Sequence, residues 1–394
     1  MRIAIFTDGF YPELGGIQDS VRLLAKTLGA RGHQVLCVVP RASKSDYELS
    51  HVPEKELDLG PNVCIARVPS ILVKGSNLQS RFILPTFTRW KLLRSLKPEV
   101  IHTQTFFGLG FEAIRAARKL KIPLVGTNHS AVTEFMVYAP VAPKLLGRLT
   151  MHAVIWYYNR CDFVTGPSHS VLNEMVQNGL TAQHEVVSNP IDIDIFRSRS
   201  REERQALKKK AEFSNATVIY AGRFGIEKHI DVLLRALPIV RARIPDAMLV
   251  LAGHGRDEPR LRTLASKLGI LESVRFLGTV SQKTLAEKYA GSDAFAIAST
   301  SETQSMVLLQ AFACGLPAVG ADWRSLQEYI PQSVGYRARS LDHEDFARKI
   351  LMLLTDKRTR ERMGEEATKF AAQFAPDAVA SAWEGIYQRL ISRS

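Results

Sequence analysis

Short apolar runs alternate along the chain with longer stretches in which apolar residues recur at helical spacing. A first series of runs occupies residues 3–6, 35–39, 63–68, 100–102, 124–126 and 163–165. A second series occupies residues 218–221, 248–252, 274–277, 294–298 and 317–320. Helical spacing is clearest over residues 17–32, 111–120 and 144–160. Short strands alternating with helices predict a parallel sheet covered on both faces. Two such series predict an α/β protein with two Rossmann-like domains.

A polar stretch separates the two series. It begins at Asn189-Pro190, and a dipeptide of this kind marks a loop rather than the interior of a strand or helix. We therefore expect one domain over residues 1–195 and a second over residues 196–375. The tail from residue 376 has apolar residues at helical spacing and predicts one amphipathic helix.

Composition is typical of an ordinary globular protein. The chain has 394 residues, of which 46% are hydrophobic and 23% charged, and this balance excludes disordered, collagen-like and coiled-coil classes. Its four cysteines lie far apart without a Cys-x-x-Cys pair, which excludes a disulfide-dense scaffold and indicates a reducing compartment. The start becomes acidic too soon for a signal peptide, and no run of 18 apolar residues is present. We expect a cytoplasmic protein without a transmembrane helix.

The net charge of +13 is concentrated in about a quarter of the chain. Residues 70–160 contain 13 Lys or Arg and three acidic residues, a net charge of +10. Two interpretations stay open: solvated helix faces, or a surface that contacts acidic lipid head groups or another polyanion. Large apolar side chains are interspersed with these cations and favour a membrane surface; they are Phe82, Leu84, Phe87, Trp90, Leu92, Leu93, Trp156, Tyr157 and Tyr158.

In the first domain, candidate chemistry follows the predicted strands. Gly15-Gly16 lies between the first strand and the first helix, where glycines let the backbone approach a phosphate at a helix N-terminus. The pattern is not Gly-x-Gly-x-x-Gly, which argues against a dinucleotide cofactor. His129 follows the strand at 124–126, at the edge of the sheet where ligands bind. A purely structural role is the more common one for such a histidine, and also for His102 after the preceding strand.

In the second domain, two cations and a carboxylate stand beside predicted strand ends. Arg223 and Lys228 flank a strand-to-helix turn, an arrangement that suits a diphosphate leaving group. Glu302 lies in a polar loop before an apolar helix, which we expect to begin with residues 303–306. The backbone N–H groups of that first turn are available to an anion. Helix capping is the alternative role for Glu302.

Together these residues resemble the family-4 retaining glycosyltransferases of the GT-B fold. The run Glu302-Thr303-Gln304 is similar to that of the glucosyldiacylglycerol synthases in this family. The resemblance implies two Rossmann-like domains facing across a cleft, with the helix over residues 376–394 crossing back to join the first domain. It extends over almost the whole chain, on motifs in characteristic order and spacing: Gly15-Gly16, Glu99-Val100-Ile101-His102, Thr127-Asn128-His129, Gly166-Pro167-Ser168, Asn189-Pro190-Ile191-Asp192, Gly222-Arg223 with Lys228, Ala252-Gly253-His254-Gly255, Phe276-Leu277-Gly278 and the Glu302 loop.

The resemblance implies that a nucleotide-sugar is held mainly by the second domain. Arg223 and Lys228 would neutralise its diphosphate. Glu302 would hold hydroxyls of the transferred sugar, and His129 would contact the sugar near the reacting carbon. The donor-binding residues implied in addition are Gly15, Gly16, Gly253, Ser305, Met306, Val307 and Gln310.

The chain departs from the family pattern at two places in this motif. The family has two glutamates separated by seven residues, but Gln310 occupies the second position, which normally holds the ribose hydroxyls. Glutamine still donates and accepts hydrogen bonds, although without charge assistance. Gln304-Ser305 also replaces the usual aromatic-Gly pair. Both changes bear on donor identity more than on the fold.

The hypothesis that follows is a metal-independent retaining glycosyltransferase. It would transfer a hexose, with UDP-hexose favoured over GDP-mannose, to a membrane-lipid acceptor such as diacylglycerol, at the inner face of the plasma membrane through its basic first domain. We expect no cofactor, no nucleic-acid partner and no metal, since Asp192-Ile193-Asp194 lacks further acidic residues to complete a metal shell. The alternatives are a soluble sugar or polysaccharide-precursor acceptor, nucleotide-sugar 2-epimerisation, and non-enzymatic sugar-nucleotide binding.

Overall fold

The computed structural model describes residues 1–50, 52–72, 81–86, 88–130 and 143–393. They divide into two compact units, Met1–Pro190 together with Pro376–Ser394, and Ile191–Ala375. The boundary lies a few residues before the one expected at residue 195, because Ile191 is fully buried in the core of the second unit.

The first unit is built on a parallel sheet. Its strands, in chain order, are β1 (Arg2–Phe6), β2 (Gln34–Pro40), β3 (Val63–Val68), β4 (Ile71–Leu72), β5 (Arg81–Phe82), β6 (Val100–Thr103), β7 (Leu124–Thr127), β8 (Phe163–Gly166) and β9 (Gln183–Val186). The parallel sheet has the order β3-β2-β1-β6-β7-β8-β9, while β4 pairs with β5 in antiparallel fashion. The middle strands β6, β7 and β8 are buried along their whole length, as expected for a sheet covered on both faces.

Helices cover both faces of this sheet. They are α1 (Gly16–Ala30), α2 (Lys44–Leu49), α3 (Gly108–Leu120), α4 (Pro143–Tyr158) and α5 (His169–Gln177), with a 3-10 helix at Arg89–Leu93. Alternate residues of β1 point to opposite faces. Ala4 and Phe6 therefore pack in one core, with residues of α3, α4 and α5, whereas Ile3 and Ile5 pack in the other, with residues of α1.

The second unit repeats this architecture. Its strands are β10 (Thr217–Ala221), β11 (Met248–Ala252), β12 (Val274–Gly278), β13 (Ala294–Ile297), β14 (Ala318–Ala321) and β15 (Gly335–Ala338). They form a parallel sheet in the order β12-β11-β10-β13-β14-β15. The helices are α6 (Arg201–Lys210), α7 (Ile230–Arg241), α8 (Glu258–Lys267), α9 (Gln282–Gly291), α10 (Met306–Ala313), α11 (Ser325–Tyr329), α12 (His343–Thr355) and α13 (Lys357–Ala372), with 3-10 helices at Ile226–Lys228 and Leu271–Ser273.

The strand order of each sheet reverses direction at one point. In the first unit this occurs between β1 and β6, and in the second between β10 and β13. Ligands of open α/β sheets bind outside the carboxyl ends of the strands at such a switch point. The prediction of two Rossmann-like domains is confirmed, and each supplies a position where a site is expected.

The C-terminal helix α14 (Pro376–Ile391) belongs to the first unit. Its buried residues, among them Trp383 and Tyr387, pack in the core that also contains Ile3 and Ile5. An ion pair of 2.9 Å between Arg31, the residue directly after α1, and Glu384 fixes it further. The expectation that the tail returns to the first domain is therefore confirmed.

Candidate active site

In the second unit, the residues expected to bind the donor lie together at the switch point. Arg223 and Lys228 follow the end of β10, and Glu302 follows the end of β13. These strands are neighbours and end at the same edge of the sheet, so their loops converge. The Lys228 ammonium donates to Glu302 Oε1 at 2.7 Å and to Ser301 Oγ at 3.1 Å.

Glu302 is an ionised hydrogen-bond acceptor whose side chain and backbone carbonyl are both held by hydrogen bonds. Its side chain is 13% exposed. Burial alone would raise the pKa of Glu302, but the charge and hydrogen bond of Lys228, with contributions from Ser299 and Arg223, hold it below its usual range. Ser325 Oγ donates to the Glu302 carbonyl at 2.7 Å. Glu302 does not cap α10, because the N-cap residue of that helix is Ser305.

Arg223 is oriented by a carboxylate that the sequence did not single out. Glu227 is 4% exposed, and its Oε1 accepts a hydrogen bond from the Arg223 guanidinium at 2.6 Å. A Cβ atom at Gly225 would come within 2.4 Å of the same carboxylate, so the glycine makes room for it. The separation of four residues between Arg223 and Glu227 was the available signal, but only the fold shows that the carboxylate is buried.

Helix α10 begins later in the chain than the sequence predicted. The prediction that residues 303–306 form the first turn is wrong by a few residues, because α10 begins at Met306. Ser305 has an extended backbone, and its carbonyl accepts the first helical hydrogen bond, from Leu309 N. The N–H groups of Met306 and Val307 therefore lie in the first turn, where a helix offers no internal acceptor. The Ser305 hydroxyl is buried and makes no hydrogen bond with any described residue.

Two further predicted donor-binding residues of the second unit are Gln310, which is buried, and Gly253, which is half-buried. Gln310 lies one helical turn after Met306, on the same face of α10, and is 6% exposed. Gly253 follows β11 with a φ of +133°, and a Cβ there would lie 2.0 Å from the carbonyl oxygen of Gly222. The absence of a side chain at Gly253 is thus required by contact between two backbone segments, whether or not a donor is bound.

In the first unit, the predicted residues follow β1 and β7. Gly15 is the N-cap residue and Gly16 the first residue of α1, as the sequence indicated. His129 follows β7, and its Nε2 lies 2.6 Å from Oε1 of Gln104. Burial lowers the pKa of His129 to about 4, so its ring is neutral at physiological pH.

Glu13, in the loop before Gly15, is a carboxyl that is costly to ionise. Burial, aided by the charge of Asp46 and opposed by Gln18 and Arg81, raises the pKa of Glu13 to about 7. The folded state then binds more protons than the unfolded state between about pH 4.5 and pH 7, so stability falls as pH rises through this window.

Glu13→Gln is therefore expected to be more stable than the wild type at about pH 8, by about 2 kcal/mol after allowing for partial exposure of the group, and nearly unchanged at about pH 4. Denaturant unfolding at the two pH values measures this difference. Glu54→Gln, at an exposed position of the same unit, is the control and should show no such pH dependence. An equal effect of Glu13→Gln at both pH values would contradict the assigned shift.

The described residues contain neither a candidate metal cluster nor a candidate membrane span. Across the described ranges, no three His, Cys, Asp or Glu side chains are grouped so that they could hold a metal ion. Asp192 instead accepts the Ile195 N–H at 3.2 Å within a turn. Among the helices in the described part of the chain, none is long and apolar enough to cross a membrane.

Comparison with known families matches a glycosyltransferase model to each half of the chain. Residues 201–370 match the model of the glycosyl transferases group 1, and residues 14–195 match that of glycosyltransferase family 4. The chain belongs to the GT-B glycosyltransferases of group 1. The resemblance drawn from the sequence motifs is confirmed.

The glycosyltransferase is similar to enzymes whose names specify different sugars. It is 28% identical over 324 residues to the alpha-monoglucosyldiacylglycerol synthase of Streptococcus pneumoniae, covering 81% of this chain and 70% of that protein. It is 27% identical over 329 residues to a GDP-mannose-dependent alpha-mannosyltransferase of Mycobacterium tuberculosis, covering 82% and 79%. Its fold matches that of Anabaena HepE, solved with UDP and glucose, with a TM-score of 0.75, 20% identity and coverage of 98% and 99%.

The basic segment of the glycosyltransferase is partly internal. Leu93, Tyr157 and Tyr158 are buried in the first unit, so the prediction that they lie on a membrane surface is wrong. Arg89 pairs with the buried Glu112 at 3.4 Å, and Trp90 packs against the core. Phe87 lies outside the described residues. The exposed members of the predicted set are Phe82, Leu84, Leu92 and Trp156.

Proposed function

We propose that this chain is a metal-independent retaining glycosyltransferase that transfers a hexose from a nucleoside diphosphate sugar to a membrane-lipid acceptor such as diacylglycerol. The observation that carries the proposal is the Lys228–Glu302 pair at the switch point of the second unit. Arg223 is near enough to lower the pKa of Glu302. The site thus combines cations for a diphosphate with an ionised acceptor for sugar hydroxyls.

In the proposed reaction, the bond between the anomeric carbon and the diphosphate oxygen breaks, and the electron pair stays on the phosphate. Arg223, Lys228 and the N–H groups at the start of α10 would stabilise this charge in place of a divalent metal ion. Glu302 would accept hydrogen bonds from hexose hydroxyls. The lipid hydroxyl would form the new bond on the face that the diphosphate leaves, with its proton passing to the departing phosphate oxygen.

The proposed donor is a UDP-hexose in preference to GDP-mannose. The Glu302-Thr303-Gln304 run and the similarity to a monoglucosyldiacylglycerol synthase support a glucosyl or related donor. The similarity to a GDP-mannose-dependent enzyme makes mannose the competing choice. The family resemblance implies that Gln310 contacts the ribose, and Gln310 lies on the same face of α10 as the first-turn residue Met306.

Calorimetric titration with UDP-glucose, UDP-galactose and GDP-mannose, each in EDTA and in Mg²⁺, tests the donor site. We expect a UDP-hexose to bind equally with and without Mg²⁺, and at least about tenfold more tightly than GDP-mannose. Binding that appears only with Mg²⁺ would refute metal independence. Tighter binding of GDP-mannose would refute the choice of base and hexose.

The acceptor side of the proposal rests on a surface of the first unit that we call the lipid-facing stripe. It consists of Leu145, Leu149 and Trp156, which are exposed on one face of α4. The opposite face of α4 is buried, including Met151 and Val154. Large apolar side chains on an otherwise polar surface suit the interface of a membrane.

Cations border the lipid-facing stripe on both helices. Arg148 is exposed on α4, and Arg115 and Arg118 are exposed on α3. The two helices meet at Phe111 and Trp156, whose ring centroids are 6.3 Å apart. Near an anionic leaflet each such cation contributes on the order of 1 kcal/mol. We therefore propose peripheral attachment to the anionic inner face of the plasma membrane.

Replacing Arg115, Arg118 and Arg148 together by glutamate is expected to abolish sedimentation with anionic vesicles, because repulsion replaces attraction at the stripe. The control carries the same charge change at exposed positions of the second unit, Lys209, Arg235 and Lys283, and should still bind. Wild-type binding should be released by salt. Equal binding to neutral and anionic vesicles at low salt, or equal loss in both variants, would contradict the proposed surface.

A further inference from the structure

A buried polar chain in the first unit connects the C-terminal helix to His129. It begins at Tyr387 of α14, continues through His102 of β6 and Gln104, and ends at His129. Tyr387 and His102 are fully buried, and Gln104 is 3% exposed. Buried polar groups of this kind are costly unless they hydrogen-bond one another in a defined arrangement. The hydrogen bonds in this chain therefore determine the orientation of each side chain and the tautomer of its histidines.

The ring of His102 is fixed at both nitrogens. Tyr387 Oη lies 2.7 Å from Nδ1, and Thr127 Oγ1 lies 2.7 Å from Nε2. The Thr127 hydroxyl is in turn 2.7 Å from that of Thr165 on the next strand. The Trp383 ring packs beside His102 with the ring centroids 4.3 Å apart. Both α14 and the sheet thus hold this imidazole in one orientation.

The position of His102 determines which way the Gln104 amide points. The amide nitrogen of Gln104 lies 3.1 and 3.2 Å from the two ring nitrogens of His102. An atom nearly equidistant from both nitrogens faces the ring rather than either lone pair. The electron-rich face of an aromatic ring favours an N–H group over a carbonyl oxygen. The amide oxygen of Gln104 is therefore directed to His129.

The amide oxygen in turn determines the tautomer of His129. Gln104 Oε1 is 2.6 Å from His129 Nε2, and an amide oxygen can only accept. Burial lowers the pKa of His129 to about 4 and that of His102 to about 3, so both rings are neutral at pH 7. A neutral imidazole carries one proton, and in His129 that proton must be on Nε2, with Nδ1 unprotonated.

We propose that Gln104 is a positioning residue that holds His129 as its Nε2–H tautomer in one ring orientation, and that Tyr387 of α14 supports it through His102. The importance of this arrangement for turnover rests on the proposed function and on the contact of His129 with the sugar that the family resemblance implies. The tautomer itself is a property of the first unit that can be measured without any donor.

Nuclear magnetic resonance of ¹⁵N-histidine-labelled full-length protein tests the tautomer directly, with the His129 signals assigned by their loss in His129→Gln. We expect the wild type to show the Nε2–H form of His129. Gln104→Met keeps a similar volume without the acceptor and should give a mixture of tautomers. Gln104→Glu places a carboxylate at Nε2 and should raise the pKa of His129 by about one to three units. Unchanged His129 signals in both variants would overturn the proposal.

The role of Tyr387 is tested with a matched pair of buried hydroxyl deletions. Tyr387→Phe removes the bond to His102 and should perturb the His129 signals. Tyr157→Phe removes a comparable buried bond, from Tyr157 Oη to Thr103 Oγ1 at 3.1 Å, and should leave them unchanged. Equal perturbation by both variants would indicate a general packing effect and overturn the connection through His102.

Turnover with UDP-glucose and diacylglycerol vesicles separates this inference from the proposed function. Gln104→Met is expected to lower kcat roughly 10- to 100-fold, as misorientation of a group at the reacting centre does, with little change in the Kd for UDP-glucose. A changed tautomer with unchanged kcat would uphold the positioning of His129 and refute the contact with the sugar that the family resemblance implies. An unchanged tautomer would refute the positioning whatever the activity.

Discussion

Glu302→Gln is expected to lower kcat for hexose transfer by at least about 100-fold while the protein stays folded. The substitution preserves the size of the side chain but removes the charge that pairs with Lys228 at 2.7 Å. Lys228 then lacks the charged partner that holds its ammonium in position to bind the diphosphate. The hexose hydroxyls also lose a charged hydrogen-bond acceptor. Steady-state transfer rates and the free energy of unfolding, measured on the same preparation, check the two parts of this prediction.

The second unit provides a matched control for that substitution. Lys208 and Asp293 form an ion pair of 2.6 Å with similar burial. However, Asp293 directly precedes β13, so it lies at the amino ends of the strands, whereas the candidate site lies at their carboxyl ends. Asp293→Asn should cost stability, because it removes the charge that pairs with Lys208 and leaves one amide oxygen to accept from both Lys208 and the Thr217 N–H. It should leave turnover unchanged. Near wild-type turnover of Glu302→Gln, or an equal loss in Asp293→Asn, would contradict the site assignment.

Gly253→Ala is expected to destabilise the second unit by roughly 3 kcal/mol or more. The φ of +133° is one that residues with a side chain rarely adopt, and the new Cβ would lie 2.0 Å from the carbonyl oxygen of Gly222. Relief would require separating the ends of β10 and β11, which carry the loops of the candidate site. Denaturant unfolding of the purified variant gives the change in the free energy of unfolding.

Gly385→Ala is the control for this second prediction. Gly385 lies inside α14, and among the described residues a Cβ atom there would meet nothing within 4 Å beyond its own helix backbone and chain neighbours. Alanine should stabilise that helix by about 0.5–1 kcal/mol. A Gly253→Ala variant as stable as the wild type would show that the backbone contact tolerates a side chain, and would return Gly253 to a role defined by the donor alone.

Most of the fold follows from hydrophobic patterning because the interior strands are buried on both faces. The apolar run at residues 218–221, for example, falls within β10, which is buried throughout. The strands β9 and β15 could not be predicted in the same way. Both lie at sheet edges, and β9, with the sequence Gln-His-Glu-Val, is largely exposed and has no apolar run. Their assignment depends on pairing with a neighbouring strand.

The residues of the candidate site also divide into those that the sequence could identify and those that only the fold reveals. Arg223, Lys228 and Glu302 could be selected because they follow strands at a ligand-binding edge of the sheet. Glu227 and Gln104 could not, because their roles depend on burial against partners that only the fold supplies.

The basic segment shows the limit of composition as a guide. Trp156 is exposed, whereas its neighbours Tyr157 and Tyr158 are buried. Adjacent helical residues point in different directions, so the phase of α4 had to be known before core and surface residues could be separated.

The measurement that tests the central claim most directly is the structure of the product formed from UDP-glucose and diacylglycerol in anionic vesicles containing EDTA. We predict a glycolipid whose hexose is α-linked, as it is in the donor, and at least about 100-fold slower formation of it by Glu302→Gln. A β-linked product would contradict retention. The absence of any lipid-linked hexose from UDP-glucose, UDP-galactose and GDP-mannose, with active binding of a donor shown in parallel, would contradict transfer to a membrane lipid.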